Sequence, residues 1–188
     1  RYSTHYLENV ACDQIASAIN GSVLENNSSK VKVIFVPTYL NKNDGIFNKD
    51  YYELLVGMDL TVFPSYYEPW GYTPLESIAF GVPTITSSLA GFGAWVKSME
   101  NTQGIFVVER TDDNFAAASD QLSSLIRGYV KFDKNKLDAC KKSVLNIAKK
   151  ALWQNLFSYY EKAYEMAIES ALARTTKTAS GEDVLLSD

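Results

Sequence analysis

Two glutamates, Glu68 and Glu76, stand with seven residues between them in the stretch Phe63-Pro64-Ser65-Tyr66-Tyr67-Glu68-Pro69-Trp70-Gly71-Tyr72-Thr73-Pro74-Leu75-Glu76. The apolar run 60–63 ends in Pro64-Ser65, which reads as the C-terminal end of a buried strand. Thr73-Pro74-Leu75-Glu76 reads as a helix start: Thr73 as N-cap, Pro74 at the first helical position, and Glu76 closing a capping box. Strand, loop and helix N-terminus is the arrangement in which open α/β sheets bind phosphorylated ligands. A nucleotide sugar needs donors for its diphosphate and acceptors for its hydroxyls. The N–H groups of Gly71, Tyr72 and Thr73 can supply the donors, and the two carboxylates the acceptors. Gly71 allows close approach of backbone to ligand. Plainer readings exist for the same residues: Glu76 as a cap alone, Glu68 as an exposed loop residue, and Tyr66, Tyr67, Trp70 and Tyr72 as core and rim.

The totals narrow the classes. The chain has 188 residues, 46% of them hydrophobic, and a net charge of −4, which fits a globular domain with a sizeable core. The acidic balance argues against a nucleic-acid partner. Cys12 and Cys140 form neither a disulfide framework nor a metal-ligand spacing and suggest a reducing compartment. No stretch reads as a signal peptide or as long enough to span a bilayer, so the expectation is a cytoplasmic protein without a membrane partner. One histidine, His5, leaves little room for a His-based metal site or a Ser-His-Asp triad; His5 reads as structural, and neither metal nor cofactor is expected.

The elements that must position the loop follow from periodicity. Helices are predicted over 7–19, 50–58, 74–80, 94–99, 113–129, 134–148 and 152–173, and strands over 31–36, 59–63, 83–86 and 105–108. Segment 26–29 reads as loop, and 87–93 as a second glycine-containing loop. The strand runs are continuously apolar rather than alternating, as strands buried on both faces should be. Alternation of strands with helices means βαβ units and a mainly parallel sheet. No internal repeat is visible. Four strands are few for a doubly wound domain, so the chain is expected to begin inside one. Leu152, Trp153, Leu156, Phe157, Tyr160, Ala163, Tyr164 and Ala167 form an apolar stripe whose ordinary reading is core, the alternative being that part of it awaits a partner surface. Residues 1–174 are expected to be one Rossmann-like domain with C-terminal helices, and 175–188 a polar tail.

Tyr66-Tyr67-Glu68-Pro69-Trp70-Gly71-Tyr72-Thr73-Pro74 followed by Glu76 resembles the donor-site signature of glycogen synthases of the animal and fungal type and their bacterial relatives. Thr4-His5, Val31-Lys32-Val33-Ile34-Phe35, Gly57 with Asp59-Leu60, Gly81-Val82-Pro83, Ala90-Gly91-Phe92-Gly93 and Gly104-Ile105-Phe106-Val107-Val108 follow in the family's order and approximate spacing. The resemblance covers residues 3–110 well and the C-terminal helices loosely.

It implies a retaining glucosyltransferase of two Rossmann-like domains, the glycosyltransferase-B fold, with this chain as most of the C-terminal, donor-binding half and an N-terminal domain outside it. Its donor would be UDP-glucose, with ADP-glucose as the alternative, and its acceptor an α-1,4-glucan; the alternative of another class is a nucleotide-binding module without catalysis. By position, Glu68 would sit against the transferred glucose as the catalytic group, with the Trp70 and Gly71 backbone on its hydroxyls. Tyr72 and Thr73 would meet the diphosphate, Glu76 the ribose, and Tyr51 the base, although Tyr51 reads equally well as core. The reaction would be front-face attack, with Glu68 stabilising charge at the anomeric carbon. Two features depart from the pattern. The family's diphosphate-neutralising Arg and Lys lie upstream of the matched region: Arg1 is followed six residues on by Leu7, so neither is assigned. The helix that is Arg-dense in eukaryotic members carries here, over 134–150, scattered lysines and no arginine, so sugar-phosphate regulation is not carried over.

Overall fold

A computed structural model describes residues 3–22 and 30–179. Arg1, the expected loop 26–29 and residues 180–188 lie outside the described residues. The chain divides into two compact units, Arg1–Gly57 and Met58–Asp188.

In the first unit, α1 spans Gln14–Asn20, only the second half of the helix expected over 7–19. The reason is Asp13, whose carboxylate accepts the Ala16 N–H at 2.7 Å and starts the helix there. Ala16 and Ile19 are buried whereas Val10 is exposed, so residues 7–12 have no packed face to hold them helical. The strand expected over 31–36 is reduced to a single parallel bridge between Ser3 and Phe35. The Thr4 N–H donates to the Phe35 carbonyl at 2.9 Å, and Thr4 Oγ1 lies 2.9 Å from His5 Nδ1. Val31 and Ile34 are exposed: one bridge cannot bury a strand on two faces. α2 is Tyr51–Leu55, shorter than the expected 50–58, and Glu53 reaches back to the Asp50 N–H at 2.9 Å. Before it, the Asp44 carboxylate accepts the N–H groups of Asn41, Ile46, Phe47 and Asn48, which holds its pKa down at about 2.

The second unit is a parallel sheet in the order β1-β2-β3, with β1 Thr61–Val62, β2 Thr84–Ser87 and β3 Ile105–Val108. Thr61 pairs with Thr84, and Thr84 with Ile105. Helices α3 (Tyr72–Ala79), α4 (Gly91–Lys97), α5 (Phe115–Tyr129), α6 (Lys134–Lys150) and α7 (Trp153–Ala179) follow the strands. The continuous apolar run of β3 is used on both faces. Ile105 and Val107 pack with Ile78, Phe92, Val96, Val144 and Ile147 of α3, α4 and α6, while Phe106 and Val108 pack with Ile85, Ala118 and Leu122 on the α5 side. This is the expected mainly parallel, Rossmann-like α/β arrangement, with three strands in the sheet among the described residues. β3 closes against α5 through Tyr129, whose ring meets Phe106 edge-on and whose hydroxyl donates to the Asp59 carbonyl at 2.6 Å.

The stripe on α7 is not core. Trp153, Phe157, Tyr160 and Tyr164 are all exposed, and they stack along the helix on one another, with ring centroids 5.1 Å apart for Trp153 and Tyr160. Leu156 alone of that stripe's large residues is half-buried, because only the first turns of α7 meet the described body of the unit. The helix also continues past the expected 173 to Ala179, taking in the start of the expected tail. No helix among the described residues is long and apolar enough to cross a membrane.

Candidate functional site

At the C-terminal edge of the sheet, the chain leaves β1 and runs alongside the segment that leaves β2. The Phe63 N–H donates to Ile85 O at 2.8 Å, the Glu68 N–H to Leu89 O at 3.3 Å, the Gly91 N–H to Glu68 O at 3.0 Å, and the Phe92 N–H to Trp70 O at 2.6 Å. Glu68 and Ala90 form a parallel bridge. Gly91 is demanded by this closeness: a Cβ there would collide with the Pro69 carbonyl. The loop is thus seated on the start of α4, and its carbonyls are that helix's caps. This also explains why α4 begins at Gly91 rather than at the expected residue 94.

α3 begins differently from expectation too. Its N-cap is Gly71, at φ 109° and ψ 78°, and the helix runs from Tyr72, so Thr73 and Pro74 are its second and third residues. The capping box expected from Thr73 to Glu76 is therefore not formed. Gly71 reaches the left-handed region at little cost and turns the chain into the helix earlier than a threonine cap could. Pro74 is tolerated because first-turn N–H groups have no intrahelical acceptor. Among the described residues, none accepts a hydrogen bond from the Gly71, Tyr72 or Thr73 N–H. Tyr72 is 70% exposed, Thr73 and Glu76 are half-buried, and Glu76 lies a turn into the helix.

Glu68 is half-buried, and Ser65 Oγ donates to its Oε2 at 3.2 Å. A Cβ built on Gly71 would stand 3.5 Å from the same oxygen, so the carboxylate lies at the foot of α3. The Trp70 ring packs edge-on against Phe92, with centroids 6.1 Å apart, and against Trp95 at 5.6 Å. Its side chain is half-buried, packed against the core, and its carbonyl is held by the Phe92 N–H. Tyr66 donates to Asp112 Oδ1 at 2.5 Å, and the Arg110 guanidinium lies 4.9 Å over its ring and 5.3 Å from that of Phe115. Donation to Asp112 holds the Tyr66 phenol above the usual tyrosine range. An open groove of about 1050 Å³ extends from Trp70 and Tyr72 past Trp95 to Trp153 and Tyr160.

The fold thus brings Glu68, Trp70, Gly71, Tyr72, Thr73 and Glu76 to one sheet edge. Tyr51 belongs to the first unit, where it opens α2, half-buried, with its ring edge-on to Tyr52 at 5.3 Å. Sequence reasoning missed Ser65 within the loop, and Ser87 at the end of β2 with Arg110 and Asp112 after β3, which hold it; polar residues after a strand look like any loop. Among the described residues, no three of His, Cys, Asp and Glu gather as metal ligands.

The protein-family model described as glycogen synthase matches residues 2–184. Glycogen (starch) synthase isoform 1 of Saccharomyces cerevisiae is 34% identical over 187 residues, covering 96% of this chain and 26% of that protein. The liver glycogen (starch) synthases of Mus musculus and Homo sapiens are each 32% identical over 173 residues, covering 90% of this chain and 25% of theirs. The chain therefore spans about a quarter of the length of these curated relatives. With the family match running almost end to end, this chain belongs to the glycogen synthase family.

Proposed function

We propose that this chain is the donor-binding part of a cytoplasmic, retaining glucosyltransferase that moves glucose from UDP-glucose to the non-reducing end of an α-1,4-glucan, in glycogen synthesis. The relatives named glycogen synthase support glucosyl transfer. The observation that carries the reading is the pairing of a fixed carboxylate, Glu68, with three N–H groups at the start of α3 that no described residue engages. A nucleoside diphosphate sugar needs that pair: N–H groups and a helix N-terminus for the diphosphate, and an anion beside the sugar.

In this reading the Gly71, Tyr72 and Thr73 backbone holds the diphosphate and the sugar's hydroxyls, with the Trp70 backbone alongside. Glu76 takes the ribose. Departure of the nucleoside diphosphate leaves positive charge at the anomeric carbon. Glu68 stabilises it electrostatically, while the leaving phosphate takes the proton of the incoming glucan hydroxyl on the same face. The family's cationic pair for the diphosphate lies upstream of the matched region, and the acceptor residues belong to an N-terminal domain outside this chain.

Glu68→Ala in the full-length enzyme tests this. Its kcat should fall at least ~100-fold, the scale of removing one pre-organised electrostatic group, with melting temperature little changed. Unchanged glucan synthesis would leave a nucleotide-binding module without this catalytic role. Assays with UDP-glucose and ADP-glucose side by side decide the donor.

A further inference from the structure

Glu68 does not stand free in its loop. One carboxylate oxygen, Oε2, accepts from Ser65 Oγ at 3.2 Å, and among the described residues none donates to Oε1. The carbonyl of Ser65 accepts in turn from Ser87 Oγ at 2.5 Å. Ser87 ends β2, the middle strand of the sheet, and is 1% exposed. Between the two loop residues, Tyr66 is tied to Asp112 and lies under Arg110, so the intervening backbone is held from β3 as well.

We propose that Ser65 is a positioning residue for the reaction, anchored through Ser87: it holds Oε2 of Glu68 and thereby aims Oε1 at the sugar. The inference rests on the reading of Glu68 given above. A carboxylate on a loop side chain has three torsions free to turn, and electrostatic stabilisation requires that it be aimed before charge develops. A hydrogen bond to the charged oxygen, from a hydroxyl whose own backbone is fixed to the sheet, supplies that aim.

The test uses the full-length enzyme, its preferred nucleotide glucose and four variants: Ser65→Ala, Ser65→Thr, Glu68→Ala and Ser65→Ala with Glu68→Ala. Ser65→Ala should lower kcat about tenfold, the worth of one hydrogen bond to a charged group, with KM for the donor unchanged within about twofold. Ser65→Thr, which keeps the hydroxyl, should recover most of the loss. In the Glu68→Ala background the serine change should cost nothing more, since the two residues act as a unit. Wild-type kcat in Ser65→Ala beside an impaired Glu68→Ala overturns the inference and leaves the role of Glu68 standing. A loss on KM alone, or one of equal size in both backgrounds, overturns it too. Wild-type activity in Glu68→Ala removes the functional reading and this inference with it.

Discussion

Two helices start at the same edge of the sheet, a few residues from the same loop, and they spend their N-termini in opposite ways. α4 uses its first N–H groups on the molecule itself: Gly91 and Phe92 donate to the carbonyls of Glu68 and Trp70. α3 engages none of the described residues with the N–H groups of Gly71, Tyr72 and Thr73. One helix start fastens the loop, and the other keeps its first N–H groups unengaged by any described residue, as the proposed diphosphate site requires. A helix N-terminus is therefore no site by itself; what matters is whether the fold has already used its donors.

The contrast can be broken from either side. The largest effect belongs to the fastening. Gly91→Ala drives a Cβ into the Pro69 carbonyl, so the loop or α4 must shift. We expect a loss of about 2–3 kcal/mol in urea unfolding together with a loss of activity in the full-length enzyme. A stable and active Gly91→Ala protein would mean that the loop is not seated where the structure has it.

On the ligand side the two readouts should separate. Tyr72→Glu places a carboxylate in the first turn of α3 on an exposed position. It should add about 0.5 kcal/mol of stability through the helix dipole. Affinity for UDP, by calorimetry, should drop about tenfold as the new charge repels the diphosphate. Equal affinity would place the diphosphate elsewhere.

The smallest effect calibrates the sheet beneath both helices. Burial pushes the Tyr129 hydroxyl up to about 12, from an ordinary value of 10.0. Its folded-state pKa is the higher one, so its contribution is fully present below pH 10 and is lost as pH rises toward 12. Tyr129→Phe should cost about 1 kcal/mol at neutral pH, the worth of its bond to Asp59 O, and should remove that alkaline step from stability measured against pH.

What could be read from residues alone was whatever neighbours along the chain decide. β3 falls on residues 105–108 as expected, because four consecutive apolar residues bounded by breakers need no distant information. The α6 start at Lys134 follows from an Asp133 whose carboxylate accepts the Lys136 N–H. The site residues from Glu68 to Glu76 travel together because they are contiguous. Errors fell where a distant partner decides. Residues 31–36 have the composition of a strand, but strand is a property of a pair. The start of α3 moved because Trp70 O is held by Phe92, and Gly71 alone can turn the chain there. The link from Ser65 to Ser87 spans 22 residues and leaves no local signature. The α7 stripe has the periodicity of a buried face, and periodicity does not say what covers it.

The bridge between Glu68 and Ala90 has a consequence for time rather than place. Swinging the Glu68 loop outward would first uncap α4, because the carbonyls that leave are the ones its amides hold. Hydrogen exchange at Gly91 and Phe92 thus clocks the opening of the loop, and the two should exchange together, slowly, as one cooperative unit. The loop and the start of α4 are therefore expected to move together or not at all.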